Sequence, residues 1–263
     1  MISDSHLHTN FSTDSKASPE SVAEAAIAKG MNSICITDHY DPEYPTGGFM
    51  IDPERYWDTM EKLRENYRGK LEIRIGLEMG LLPDLHDEIL AIEESFPFDF
   101  VIGSVHVMDG FDPYYRDHFK GTDEEMYRRY FEVMLEDLDR TEGYQSLGHL
   151  DYVVRYGEHL DEEYSFGAMQ DLIDPILRKI IDRGIALEVN TGNLTKGMSF
   201  PNPHPDVIRR YLELGGDMIT IGSDAHRPED LGYGFPETVS MLKELGVGQI
   251  AEFRGKKPSF VRI

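Results

Sequence analysis

Asp4-Ser5-His6-Leu7-His8-Thr9, inside the longer run DSHLHTNFSTDS of residues 4–15, sets two histidines two residues apart, with Asp14 six residues further on. On a strand, side chains at i and i+2 leave the same face, so His6 and His8 would converge on one point. On a loop they would simply be solvated. The rest of the chain decides between the two.

Working outward, short strand-like runs follow the first one (residues 1–6) at 33–37, 71–76, 98–103, 145–149, 185–189 and 218–222. Several are mostly apolar, as strands buried on both faces of a parallel sheet are. Longer helical patterns lie between them. Ser18-Pro19 and Asp52-Pro53 each place a capping side chain before a proline, and Gly30 and Gly69 supply the stops. Tyr56, Met60, Leu63 and Tyr67 form one apolar stripe, and Met126, Tyr130, Met134 and Leu138 a second. Met169, Leu172, Ile173, Ile176, Ile180 and Ile181 form a third; all three stripes are core faces. Repeated strand-then-helix order implies parallel strands joined by right-handed crossovers. Seven such units in roughly 250 residues fit a closed barrel. The expected fold is therefore α/β: a distorted TIM-like (β/α)7 barrel forming a single domain over residues 1–263, with its site at the C-terminal strand ends.

Composition narrows the function classes. The net charge of −23, from 26 basic against 49 acidic residues, would repel a polyphosphate backbone, so nucleic acid is not an expected partner. No apolar run approaches the ~20 residues that span a bilayer, and the polar residues after Met1 resemble no secretory signal. A cytoplasmic location without membrane association is expected. Cys35, the single cysteine, lies in an apolar run, where it reads as a small buried residue. The Asn-x-Ser/Thr triplets at Asn10 and Asn193 are chance matches without a secretory route.

Of ten histidines, six fall at or just beyond a predicted strand end: His6, His8, His39, His106, His149 and His226. Glu78 and Asp224 join them. His86, His118, His159 and His204 lie in polar helical or loop segments and carry no such signal. In a (β/α) barrel the strand ends share one mouth, and imidazole with carboxylate suits zinc, manganese or iron. So many donors exceed what one four-coordinate ion can use. A cluster of two or three divalent ions follows, with Glu78 placed to bridge through its two oxygens.

These motifs carry a resemblance. His6-Leu7-His8-Thr9, Thr37-Asp38-His39, Glu78, Ser104-Val105-His106, Gly148-His149 and Ser223-Asp224-Ala225-His226 resemble the PHP (polymerase and histidinol phosphatase) family, most closely its stand-alone histidinol-phosphatase branch. The likeness runs nearly the whole chain, down to Arg227-Pro228-Glu229-Asp230. A lone His-x-His is weak evidence; six ordered motifs at successive strand ends are strong. The resemblance implies three metals: one held by His6, His8, Glu78 and Asp224, a second by Glu78, His106 and His149, and a third by His39 and His226. Asp14 stands where related phosphatases often have histidine, as a candidate ligand of that third ion. It also implies hydrolysis of L-histidinol phosphate, a step of histidine biosynthesis, with Glu78, Asp224 and His226 taking part in catalysis.

Such a reaction needs a hydroxide at neutral pH, which metal coordination provides by lowering the pKa of bound water from ~15.7 to ~7. No protein nucleophile is then required, and no Gly-x-Ser-x-Gly elbow is present. Cations at the rim should grip the phosphate; Arg155 is the first candidate and Lys196 the second. An arginine is common near Lys196 in this branch, but Thr195 stands there. Asp14 and Thr195 also permit a different small ester, such as a nucleotide or sugar phosphate. A metal-dependent amidohydrolase ranks below, because Glu78 occupies the position where those enzymes often carry a bridging lysine. An accessory module of a polymerase ranks lower still, given the length and the acidity.

Overall fold

The computed structural model describes residues 3–42, 44–159 and 164–263. In chain order the elements are α1 (Pro19–Ala28), β1 (Ser33–Ile36), β2 (His39–Tyr40), α2 (Pro53–Asn66), β3 (Glu72–Gly80), α3 (His86–Ser95), β4 (Phe100–Ser104) and α4 (Asp123–Arg140). They continue with β5 (Ser146–Leu147), α5 (Phe166–Asp182), β6 (Ala186–Asn190), α6 (Gly192–Thr195), α7 (Pro205–Glu213), β7 (Ile219–Gly222), α8 (Phe235–Glu244), β8 (Gln249–Arg254) and β9 (Lys257–Arg262). A seven-stranded parallel sheet runs β1-β3-β4-β5-β6-β7, with β2 also paired to β3.

Residues 4–8 join the two ends of that sheet. On one side the Cys35 and Thr37 amides donate to the Asp4 and Leu7 carbonyls; on the other, Ser5 and His8 donate to Ile221 and Ala225, and Asp224 to His6. The result is a distorted TIM-like barrel, closed by the segment that bears the His-x-His. A regular strand expected over 1–6 is not what forms. Residues 1 and 2 lie outside the described residues, and the segment that follows makes only two isolated parallel bridges, Asp4 to Ile34 and Leu7 to Ala225. The buried Asp4 carboxylate accounts for part of this, since it accepts the backbone amides of Ser223 and Gly232.

The local signals operate as chemistry predicts. Ser18 and Asp52 accept from the Ser21 and Arg55 amides, and a Thr122–Glu125 capping box starts α4. Met126, Tyr130, Met134 and Leu138 of α4 and Met169, Ile173, Ile176 and Ile180 of α5 are buried in one continuous core. At the strand N-termini the antiparallel β8–β9 hairpin, which strand–helix alternation does not anticipate, covers the barrel end. There Ala251 and Phe253 form a small second core with Cys35, Phe100, Ile102 and Ala186. Among the described residues no helix is long and apolar enough to cross a membrane.

Candidate metal centre

Glu78 is the seventh residue of β3, inside the strand rather than beyond its end, because β3 runs on to Gly80. Alternation sends its side chain into the barrel, fully buried. One carboxylate oxygen, Oε2, lies 3.2 Å from His6 Nε2, 3.4 Å from His8 Nε2 and 3.0 Å from His39 Nδ1. The other, Oε1, lies 3.2 Å from His106 Nε2 and 2.9 Å from His149 Nε2, and accepts from Ser104 Oγ. The two oxygens of one carboxylate thus face two separate sets of imidazoles.

Asp224 completes the first set, with Oδ1 3.3 Å from His8 Nε2 and 3.7 Å from His6 Nε2. It holds a left-handed backbone, φ +54°, which short polar side chains tolerate best after glycine. Just before it Gly222 leaves room for His6; a Cβ there would lie 2.2 Å from His6 Cβ.

The far sides of three imidazoles are fixed. His6 Nδ1 lies 2.6 Å from Glu188 Oε1 on β6, and His106 Nδ1 lies 3.0 Å from Asp41 Oδ1. His8 Nδ1 lies 3.0 Å from Ser12 Oγ, which itself donates to the buried Asp38. These acceptors hold a ring proton on Nδ1 and aim Nε2 at the centre, the arrangement that orients metal-binding histidines.

Charge is concentrated and ordered here. Burial opposes ionisation of Glu78, yet His6, His39 and His106 hold its carboxyl well below the usual range. Burial likewise opposes a proton on His6, but Glu188, Glu78 and Asp224 outweigh it and keep that pKa well above normal. His8 goes the other way: burial, with the fields of His226 and His39, pushes it down to about 3, a neutral imidazole. Carboxylates clustered with imidazoles attract a cation, and a metal ion competes with protons for those sites.

Four sets of three ligand atoms, each within 4.8 Å of one another, occur among the described residues: His6/His8/Asp224, Glu78/His106/His149, His8/His39/His226 and His39/Asp41/His106. Glu78 Oε2, His39 Nδ1, Asp41 Oδ2 and His226 Nε2 are buried without a hydrogen-bond partner, although Oε2 and His39 Nδ1 are close. Ligand atoms that converge with their hydrogen-bonding capacity incompletely used fit a divalent metal centre. Asp14 stands at the edge, 43% exposed, with Oδ2 3.0 Å from His226 Nε2 and 3.8 Å from His39 Nε2.

The centre floors a cavity of about 680 Å³ lined also by Tyr44, Phe49, Asp112, Tyr152, Arg155 and Lys196. Arg155 is buried, its Nη1 3.8 Å from Asp224 Oδ2. Lys196 is exposed at the rim, and the Thr195 hydroxyl is spent on its own helix, donating to the Gly192 carbonyl.

The PHP domain profile matches residues 4–192. The chain belongs to the PHP domain family. A probable histidinol-phosphatase of Clostridium acetobutylicum is 37% identical over 245 residues, covering 92% of this chain and 93% of the relative. The histidinol-phosphatase of Lactococcus lactis is 34% identical, covering 97% of this chain and 95% of its own length. A solved structure of the Lactococcus lactis histidinol phosphate phosphatase, complexed with zinc, L-histidinol and phosphate, superposes with a TM-score of 0.88 at 33% identity, covering 98% of each chain.

In this PHP domain the structure brings His6, His8, His39, Glu78, His106, His149, Asp224 and His226 to one mouth, with Asp14 and Arg155 beside them and Lys196 at its rim. Sequence patterns missed Asp41, Glu188, Ser12 and Asp38. Glu188 did carry a signal: an acid between Leu187 and Val189 in an otherwise apolar strand needs a buried partner. Asp41 follows His39 at i+2, the same spacing that singled out His6 and His8.

Proposed function

We infer that this chain is a metal-dependent phosphomonoesterase that hydrolyses L-histidinol phosphate to L-histidinol and phosphate. The observation that carries this reading is Glu78, one carboxylate shared between two imidazole sets at the floor of an open mouth. The relatives support the identity of the ester.

His6, His8, Glu78 and Asp224 would hold one ion, Glu78, His106 and His149 a second, and His39 and His226 a third with Asp14 beside them; zinc, manganese and iron all suit these donors. When bound, such ions supply a water of lowered pKa and neutralise charge on the phosphoryl oxygens. The chain's own part is positional. Glu78 fixes the spacing of the two imidazole sets. Glu188, Asp41 and Ser12 keep the Nε2 atoms of His6, His106 and His8 aimed inward. Arg155 binds a phosphate oxygen from the side, while Lys196 adds a rim charge without bidentate geometry. Tyr44, Phe49 and Tyr152 wall the space left for the organic part.

The test is steady-state phosphate release by metal-loaded protein, comparing L-histidinol phosphate with nucleotide, sugar and other amino-alcohol phosphates. We expect kcat/KM to favour L-histidinol phosphate about a hundredfold, or ~2.7 kcal/mol of discrimination. A flat profile would reassign the substrate to another small ester. No release from any ester would return the site to amidohydrolase chemistry.

A further inference from the structure

Several arginines of this chain are clamped by carboxylates: Arg128 by Asp171, Arg129 by Asp109, Arg210 by Asp174 and Arg254 by Glu72. Arg155 is held differently. Its Nε donates to Asn193 Oδ1 at 2.9 Å and its Nη2 to Asn202 Oδ1 at 3.0 Å, and the guanidinium lies 4.8 Å from the Tyr152 ring centre. Amide oxygens and a ring fix geometry without cancelling charge, whereas a carboxylate clamp would neutralise it. Only 7% exposed, the cation keeps Nη1 free of a hydrogen-bonded acid, beside the cavity and the Asp224 carboxylate.

The orientation of Asn202 is imposed from behind. Its Nδ2 donates to Asp151 Oδ1 at 2.5 Å, while Asp151 Oδ2 accepts from the His204 amide at 2.8 Å. A guanidinium only donates, so the Asn202 oxygen must face Arg155 and its NH2 group must face Asp151. Asp151 and Asn202 are both fully buried. The Asn202 backbone exchanges two hydrogen bonds with Asn190, at 2.7 and 2.8 Å, which ties the clamp to the strand whose Glu188 orients His6.

We propose that Asp151 and Asn202 are positioning residues: they aim Arg155 at the substrate phosphate and hold it without a hydrogen-bonded carboxylate. This rests on the phosphomonoesterase reading of the mouth. Asp151 acts through Asn202, and Asn202 through Arg155; neither touches substrate. The Asp151 carboxyl is kept one side chain away, where it accepts from the amide instead of pairing with the guanidinium.

A double-mutant cycle on the metal-loaded full chain tests this, reading KM for L-histidinol phosphate, Ki for inorganic phosphate, kcat and metal content. Arg155→Ala should raise KM and Ki about 10- to 100-fold, the range of a lost charge-assisted bond. Asn202→Ala should raise both about tenfold with kcat changed less, and should add less than about twofold once Arg155 is already alanine. The exchange Asp151→Asn with Asn202→Asp keeps the paired hydrogen bond but sets a carboxylate against Arg155. It should keep the metals and raise phosphate Ki about tenfold, and it decides the matter if Asn202→Ala does not fold. An Asn202→Ala effect equal in both backgrounds, or an exchange variant with unchanged Ki, would overturn the positioning role alone. Unchanged KM and Ki in Arg155→Ala would instead overturn the phosphate-binding reading of the mouth.

Discussion

Strand β3 sends Arg74 and Glu78 into the barrel from the same face, four residues apart, and the two ends of the barrel receive them in opposite ways. At the lower end Arg74, 2% exposed, donates to Ser3 Oγ and to the Phe253 carbonyl, with Glu252 3.8 Å away. The β8–β9 hairpin seals that end, and the polar partners come from the chain itself. At the upper end Glu78 faces five imidazoles, and buried ligand atoms around it have no hydrogen-bond partner. A buried charge held by the chain's own groups behind a covered end belongs to the fold, even though Arg74 Nε itself lacks a partner. One surrounded by unsatisfied lone pairs at an open mouth belongs to a ligand.

The sharpest way to break this contrast is to remove each charge. Glu78→Ala should take metal from two sites at once and lower kcat/KM by more than about 10³-fold, with the barrel still folded. Metal analysis beside circular dichroism checks it; a fully metallated, fully active variant would end the bridging role. Arg74→Ala should do the reverse. Losing the buried guanidinium, with Glu252 left to Arg254 3.5 Å away, should cost about 2 kcal/mol of stability in denaturant titration, with kcat/KM of the folded enzyme unchanged. Loss of activity out of proportion to unfolding would show that the two ends communicate.

A smaller effect separates the ligands from their supports. Glu188→Gln keeps a hydrogen-bond acceptor for His6 Nδ1 but removes the charge behind the ring, and metal affinity should fall about 10- to 100-fold. Competition with a chromogenic chelator measures this directly. Unchanged affinity would mean that packing alone sets the His6 ring.

Much of the upper end is legible in sequence, because polar residues ending apolar strands are exceptions that the fold itself does not explain. His6, His39, His106, His149 and Asp224 stand out for that reason. Their supports are harder to see: an acid in an apolar strand marks Glu188 and an i+2 spacing marks Asp41, but the imidazoles they face lie 182 and 65 residues away. The lower end is nearly silent. Nothing local says that Arg74 will meet Phe253, or that residues 4–8 will bond two sheet edges at once, since both depend on closure of the barrel. The Arg155 clamp shares this difficulty, for Asn202 lies 47 residues from the arginine it orients.

Burial by itself does not produce the charge order of the mouth, and Asp137 on α4 makes that measurable. This carboxyl is 7% exposed but has no imidazole beside it; burial, aided by Glu136, pushes its pKa up to about 7. Glu78, more deeply buried, moves the other way because cationic rings surround it. Between the ordinary 3.8 and about 7, folded Asp137 keeps a proton that the unfolded chain has released. Stability contributed by this site is therefore greatest below pH ~4, declines as pH rises toward 7, and is level above. Asp137→Asn removes the ionisation, so its advantage over the parent should be small near pH 4 and grow to on the order of 1 kcal/mol by pH 8. Denaturant titrations of both proteins at pH 4.5, 6 and 8 give the difference. A constant difference across that range would mean that Asp137 is solvated, and its contrast with Glu78 would then be one of exposure rather than of neighbouring charge.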